Sequence, residues 1–143
     1  FERLIGLRLS ADSDEVGHYS ADGIILATAT GSTAYSLSAG GPIVAPTVKR
    51  IVATPISPHT LAVRPVVFPG DALISVELLS GDDDLQLTVD GQRGCLLEVG
   101  DRVDIACAEH PVKLVRLSDY SFFTVLRRKL RWGDVRSHPV SEG

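Results

Sequence analysis

Polar and apolar positions alternate with a period of two over much of this chain. Ile74, Val76 and Leu78 alternate with Ser75 and Glu77, Leu85, Leu87 and Val89 with Gln86 and Thr88, and Val103, Ile105 and Cys107 with Asp104 and Ala106. Successive strand side chains point to opposite faces, so this is the pattern of half-buried antiparallel strands. Upstream, Leu4 to Leu9 and Val16 to Ala21 read as two strands around the acidic turn Ala11 to Glu15, and Arg50 to Thr54 as another, closed by Pro55. Turn signals at Pro69-Gly-Asp71, Ser80 to Asp84, Asp90-Gly91, Gly100-Asp101 and His110-Pro111 separate these segments. Many short strands at this spacing predict a mainly β chain: an antiparallel β-sandwich with one short central helix and a C-terminal helix.

The C-terminal helix is predicted over Tyr120 to Trp132. Phe123, Leu126 and Leu130 fall at helical spacing, and Arg127, Arg128, Lys129 and Arg131 gather where the macrodipole favours cations. Core packing with an exposed basic side accounts for this pattern. A membrane-surface or phosphate-binding helix is the sharper alternative, and the acidic total charge speaks against it. Polar residues after Gly133, with Pro139, predict a flexible tail over 133–143 and leave 1–132 as one all-β domain.

The central helix lies in the most unusual stretch, Asp22 to Pro42. Ile24, Ile25 and Leu26 read as a buried strand, after which Thr28 to Ala34 carries no bulky side chain. Another molecule can approach such a backbone closely and meet several short hydroxyls. Ser32 or Thr33 is expected to cap the helix, and Gly40-Gly41-Pro42 to stop it. A strand feeding a small-residue turn and a helix start offers N–H donors to the oxygens of a phosphorylated ligand. No lysine sits in the turn, which excludes a Walker loop, and Gly31 directly precedes Ser32, which excludes a nucleophile elbow. An ordinary loop can share this composition, so the residues alone leave ligand binding open.

Composition narrows the class. The chain has 143 residues, enough for one domain with its own core, and 44% hydrophobic with 22% charged residues is ordinary for a globular protein. A formal charge of −4 argues against a general nucleic-acid binder. No apolar run has the length of a membrane span and no signal segment opens the chain, so no membrane partner and a cytoplasmic location are expected. The opening Phe1-Glu-Arg-Leu-Ile-Gly-Leu reads as a strand already under way, as in a chain cut from something larger. Cys95 and Cys107 lie in predicted strands and read as buried, reduced thiols. Four scattered histidines lack metal-ligand spacing, and Asp82-Asp83-Asp84 reads as a solvated turn, so no metal site is expected. Pro55 and Pro58 should hold Ile56-Ser57 extended. His59 reads as a turn residue bonded to backbone or, less simply, a functional group, and Gln92 as a strand residue able both to donate and to accept.

The run Thr28 to Pro42, with Asp22-Gly23 just upstream, closely resembles the second signature of the NAD kinase family. Thr54-Pro-Ile-Ser-Pro-His-Thr-Leu61, Val89-Asp-Gly-Gln92, and Asp119-Tyr-Ser-Phe-Phe followed by Lys129-Leu-Arg-Trp132 agree with that family in order and spacing. The resemblance spans Asp22 to Trp132. It implies an enzyme that transfers a phosphoryl group from ATP or polyphosphate to the 2′-hydroxyl of the adenosine ribose of NAD, giving NADP, with Mg²⁺ or another divalent cation. It also implies two domains, and this chain resembles the second, the β-domain of the NAD kinase/diacylglycerol kinase-like fold. The family's Gly-Gly-Asp-Gly-Thr motif and Asn-Glu pair, which belong to an N-terminal α/β domain, do not occur here. The implied base, the cation and much of the donor site then lie on the other domain, no catalytic residue is assigned to this chain, and the fragment alone is expected to be inactive.

Carried over position by position, the resemblance gives Asp22, Thr33, Ala34, Tyr35 and Ser38 contacts with NAD. Thr30 is an additional contact in the same turn, and Gln92 matches the polar residue after the Asp-Gly hairpin. Ser57 and His59 match a segment that approaches the NAD of a neighbouring subunit, which implies a homodimer or homotetramer. Ala29 stands where the family usually has proline, a change that frees the backbone there. Two readings of other classes are a non-catalytic NAD(P)-sensing module and the β-domain of a lipid kinase; a plain structural β-domain would bind nothing.

Overall fold

The computed structural model describes residues 4–60, 62–117 and 119–132, and the tail expected over 133–143 lies outside them. The chain forms two compact units, one through Glu109 and one from His110.

The first unit carries nine strands: β1 (Ile5–Ala11), β2 (Asp14–Ala21), β3 (Gly23–Thr28), β4 (Arg50–Ile56), β5 (Val66–Pro69), β6 (Ile74–Ser80), β7 (Leu85–Val89), β8 (Gln92–Leu97) and β9 (Arg102–Ile105). A single turn of 3₁₀-helix (Thr30–Thr33) and the four-residue α1 (Tyr35–Ser38) lie between β3 and β4. The strands form a four-stranded sheet ordered β2-β1-β6-β9, a three-stranded sheet β3-β4-β5 and the separate hairpin β7-β8. Every pairing is antiparallel.

Register explains the sandwich. In the larger sheet Leu7 stands opposite Leu78, Leu9 opposite Val76 and Ile74 opposite Ile105. One face is therefore apolar, and it shares a single core with Ile51, Ala53 and Phe68 of the smaller sheet and Leu85 of β7. Each such aliphatic side chain contributes about 1.5–3 kcal/mol on burial, an upper figure when the reference is an extended chain. The opposite face carries Arg8, Ser75, Glu77, Arg102 and Asp104 around a depression of about 310 Å³. Its charges are paired. Arg8 bonds Glu15 at 3.1 Å and Glu77 at 3.0 Å, His18 bonds Glu15, and Arg102 meets Asp104 at 3.1 Å.

Strand β4 is buried from Ile51 through Pro55 without alternation. Ile51 and Ala53 face the sandwich core, while Val52 and Thr54, on the other face, are fully buried as well. Pro55 does not close this strand; it lies inside it, opposite Ile24. The β4–β5 ladder covers only Arg50 to Ala53. Among the described residues no strand pairs with that side of β4 beyond Ala53, and a residue without an N–H is tolerated there.

Other expectations shift in detail. The acidic turn narrows to Asp12-Ser13, with φ of 50° and 72°, and Asp14 and Glu15 belong to β2. Asp90-Gly91 is a two-residue hairpin turn as expected, with φ of 49° and 77°; positive φ at both positions matches the right-handed twist of the flanking strands. Ser57 is left-handed, with φ of 45°, and not extended. Cys95 is exposed and Cys107, past the end of β9, is half-buried. The β7–β8 hairpin is hydrogen-bonded to neither larger sheet; Leu85 and Leu97 pack on the core, while Gln92, Gly94, Cys95 and Leu96 are exposed.

The described part of the second unit contains a segment without helix or strand and α2 (Phe122–Leu130), two residues later in starting than expected. Ser121 caps it, its Oγ accepting from the Thr124 N–H at 3.2 Å. Arg127, Arg128 and Lys129 occupy the last turn, and the Arg128 guanidinium lies 4.5 Å over the Tyr120 ring. Ahead of α2, Val112, Leu114, Val115 and Leu117 are all at least 74% exposed. Among the described residues no helix is long and apolar enough to cross a membrane.

Candidate functional site

The small-residue stretch covers the face of β4 that the sandwich core does not. After β3 the chain tightens into the 3₁₀ turn, breaks at Ala34 (φ −96°, ψ −132°) and restarts as α1. The central helix is thus divided, and neither Ser32 nor Thr33 caps it. The cap positions are Ala29 and Ala34, and neither makes a side-chain cap bond. The hydroxyls turn elsewhere. Thr28 Oγ1 accepts from the Gly31 N–H at 3.3 Å, Thr33 Oγ1 donates to the Thr30 carbonyl at 3.2 Å, and Ser32 Oγ donates to the Ala29 carbonyl at 2.6 Å. Short hydroxyls compete for nearby backbone groups, and here that closes a tight 3₁₀ turn.

The helix end does follow expectation. Gly40 N–H donates to the Leu37 carbonyl at 3.0 Å and Gly41 N–H to the Ser36 carbonyl at 2.8 Å, with Gly40 at φ 88°. These two bonds are the Schellman arrangement, and Pro42 follows it. Beneath it, Ser36 Oγ meets Thr54 Oγ1 at 3.2 Å, both groups buried. A Cβ on Gly41 would stand 2.4 Å from Ser36 Oγ and 2.6 Å from Thr54 Oγ1, so only glycine lets the chain pass there.

Burial sorts the residues of this stretch into two sets. Ser32 and Ser36 are fully buried, whereas Thr30, Thr33, Ala34, Tyr35 and Ser38 are exposed, Tyr35 at 62%. The inward serines fix the segment to the sheet, and the outward residues present hydroxyls, small side chains and one aromatic ring to solvent. Sequence reading missed the inward set of Ser36, Thr54 and Gly41. Its one visible signal is the i, i+4 spacing of Ser32 and Ser36.

Asp22, Ser57 and His59 come together at the other end of the same sheet. Asp22 sits where the chain crosses from β2 to β3, and its N–H donates to the Ile56 carbonyl at 2.9 Å; the His59 N–H donates to the Ser20 carbonyl at 3.0 Å. Backbone bonding of His59 is what its turn reading requires, and its side chain is exposed, as are those of Asp22 and Ser57. Thr54, on which Ser36 rests, pairs with Ile25. Asp22 lies three residues before Ile25, about 10 Å along the strand. The turn and the Asp22 corner therefore belong to one sheet, the turn over Thr54 and the corner at the start of β3. Gln92 stands apart at the start of β8, exposed, on the hairpin that joins neither larger sheet.

Comparison with known proteins bears on the family and the fold. Residues 1–117 match the family described as the ATP-NAD kinase C-terminal domain. The chain is 51% identical over 133 residues to an NAD kinase of Gemmatimonas aurantiaca, covering 93% of this chain and 46% of that protein. It is 49% identical over 132 residues to an NAD kinase of Koribacter versatilis, covering 92% and 46%. The crystal structure of yeast NADH kinase complexed with NADH superposes with a TM-score of 0.84 at 30% identity, over 98% of this chain and 43% of that one. An NAD kinase from Archaeoglobus fulgidus in complex with ATP gives 0.66 at 31% identity, over 76% and 41%. This chain spans about half the length of the curated relatives it matches. A β-sandwich with this turn, matched to the family model over most of its length, belongs to the ATP-NAD kinase C-terminal domain family.

Proposed function

We propose that this chain is the NAD-binding half of an NAD kinase, an enzyme that phosphorylates the adenosine-ribose 2′-hydroxyl of NAD to give NADP. The observation that carries the reading is the sorting of the turn: Ser32 and Ser36 are buried, and Thr30, Thr33, Ala34, Tyr35 and Ser38 are exposed. Those outward groups suit a dinucleotide. Tyr35 offers an aromatic face on which a base can stack, the hydroxyls of Thr30 and Ser38 can meet ribose or phosphate oxygens, and Thr33 Oγ1, which donates to the Thr30 carbonyl, can accept from a ribose hydroxyl. Asp22, exposed at the start of β3 in the same sheet, can accept from a ribose hydroxyl or an amide. NADH in the yeast relative's structure and ATP in the archaeal one support dinucleotide and donor as ligands of the whole protein.

Phosphoryl transfer works by positioning and by neutralising charge on the moving group. Among the described residues no three His, Cys, Asp or Glu side chains gather where they could hold a cation. The described residues therefore do not fit a catalytic metal. The reading assigns the divalent cation, the base and the donor, ATP or polyphosphate, to an N-terminal domain in cis. The exposed apolar residues Val112, Leu114, Val115 and Leu117 offer that domain a surface to cover. Ser57 and His59, exposed at the Asp22 corner, are placed in this reading beside the NAD of a neighbouring subunit, in a cytoplasmic homodimer or homotetramer; Gln92 is a further contact.

Titration calorimetry of the purified chain with NAD tests the proposal. Saturable binding is expected, weakened roughly tenfold by Asp22→Ala and by Tyr35→Ala, with both variants folded by circular dichroism. Unchanged affinity in both variants would remove the turn from the site. A chain that takes up no NAD at all would overturn the reading.

A further inference from the structure

Ser32 is the most completely enclosed polar side chain of the turn, at 0% exposure, and the outward set flanks it on both sides. Its hydroxyl does two things at once. It donates to the Ala29 carbonyl at 2.6 Å, at the start of the turn, and accepts from the Val44 N–H at 3.0 Å, beyond the helix and its Gly40-Gly41-Pro42 stop. One oxygen atom therefore joins the two limbs of the loop that carries Thr33, Ala34, Tyr35 and Ser38.

We propose that Ser32 is a positioning residue for dinucleotide binding: its buried hydroxyl closes the loop and holds the outward set in the geometry that meets the ligand. This rests on the reading that the turn faces NAD. Ser32 itself faces inward and touches no ligand. The physical case is one of satisfied groups. A buried hydroxyl can donate once and accept as well, and here both capacities are used on backbone atoms of different limbs. Without it the Val44 N–H loses its partner, and the cheapest way to recover one is to open the loop to water. Opening would disperse Thr33, Ala34 and Tyr35 over several arrangements, only one of which binds well, and apparent affinity falls with the population of the competent state. The 3₁₀ turn and α1 are four residues each, too short to keep their shape alone, which makes a side-chain tie decisive here.

Three substitutions in the purified chain test this, each read by NAD calorimetry, thermal unfolding and amide hydrogen exchange at Val44. Ser32→Ala is expected to weaken NAD binding about tenfold and to speed Val44 exchange markedly. Ser32→Thr keeps the hydroxyl and is expected to restore slow exchange and most of the affinity. Ile51→Val removes a methylene from the opposite face of β4 and is expected to lower the unfolding midpoint while leaving affinity and Val44 exchange as they are. That comparison separates positioning from general loss of stability, which both Ser32→Ala and Ile51→Val produce. If Ser32→Ala loses no more affinity than Ile51→Val, or if Val44 remains protected in it, the proposal is wrong while the NAD reading stands. If Ser32→Thr leaves affinity as low as Ser32→Ala, the hydroxyl is not the cause and the proposal is again wrong. If the unmutated chain binds no NAD, both readings fall together.

Discussion

Gly41→Ala gives a direct measure of how tightly the turn is seated. The added methyl would stand 2.4 Å from Ser36 Oγ, 2.6 Å from Thr54 Oγ1 and 2.8 Å from the Ser36 carbonyl oxygen. The two hydroxyls can rotate away, but only by abandoning their mutual bond, and the carbonyl cannot move without disturbing α1 and its 2.8 Å bond from Gly41. Gly41 is not among the residues at positive φ, so the penalty is one of space and not of backbone conformation. Overpacking a tight site costs about 1–3 kcal/mol, and a lost buried hydrogen bond about 1 kcal/mol more, so the expected loss is about 2–4 kcal/mol. Gly40→Ala tests the contrary case, with open space around the methyl but φ at 88°; it should cost about 1–2 kcal/mol. Urea unfolding with an unchanged slope measures both. A double-mutant cycle adds Ser36→Ala, which removes the nearest of the three atoms and leaves the carbonyl contact. Gly41→Ala should then cost about 1 kcal/mol less than in the parent, yet remain destabilising. A Gly41→Ala protein within about 0.5 kcal/mol of the parent, or one showing no coupling to Ser36, would refute this account of the packing.

Further expectations concern other parts of the fold. Ala29 has φ of −53°, within the range a proline ring imposes, and Thr28 before it is extended, so Ala29→Pro should raise stability by about 0.4–1 kcal/mol in thermal unfolding. Burial raises the Tyr19 phenol above its ordinary 10.0, because the phenolate would lose water. The folded state then holds this proton more tightly than the unfolded chain. The contribution is whole below pH 10 and is lost as pH rises through the folded pKa, so Tyr19→Phe should flatten the alkaline fall in urea midpoint. Arg8→Ala removes two ion pairs from side chains more than a third exposed, and should cost at most about 1 kcal/mol, less in high salt.

Strand alternation was legible because the larger sheet has one wet face and one dry one. Ile74, Val76 and Leu78 against Ser75 and Glu77 could belong to no other kind of element. Residues with two dry faces, or with none, were less legible. Val52 and Thr54 of β4 are buried on the side a sandwich would leave open, because the turn and α1 cover it. Cys95 is exposed although it sits in a strand, because its hairpin leaves the sheets. Pro55 read as a terminator; the short reach of β5 made room for it inside the strand.

The sequence by itself determined the antiparallel β class, the hairpin at Asp90-Gly91 and the helix stop at Gly40-Gly41, since each rests on periodicity or on a residue type with few permitted conformations; the family was legible separately, through the resemblance carried by Thr28 to Pro42 and the segments after it. Which of the small residues between Thr28 and Gly41 face inward was decided only by the tertiary structure. Serine, threonine, alanine and glycine differ little in transfer energy, so their order along the chain carries almost no amphipathic signal. The division between the buried Ser32 and Ser36 and the exposed Thr33 and Tyr35 comes from what β4 offers beneath them: a buried hydroxyl on Thr54 and room for a chain without a side chain at Gly41.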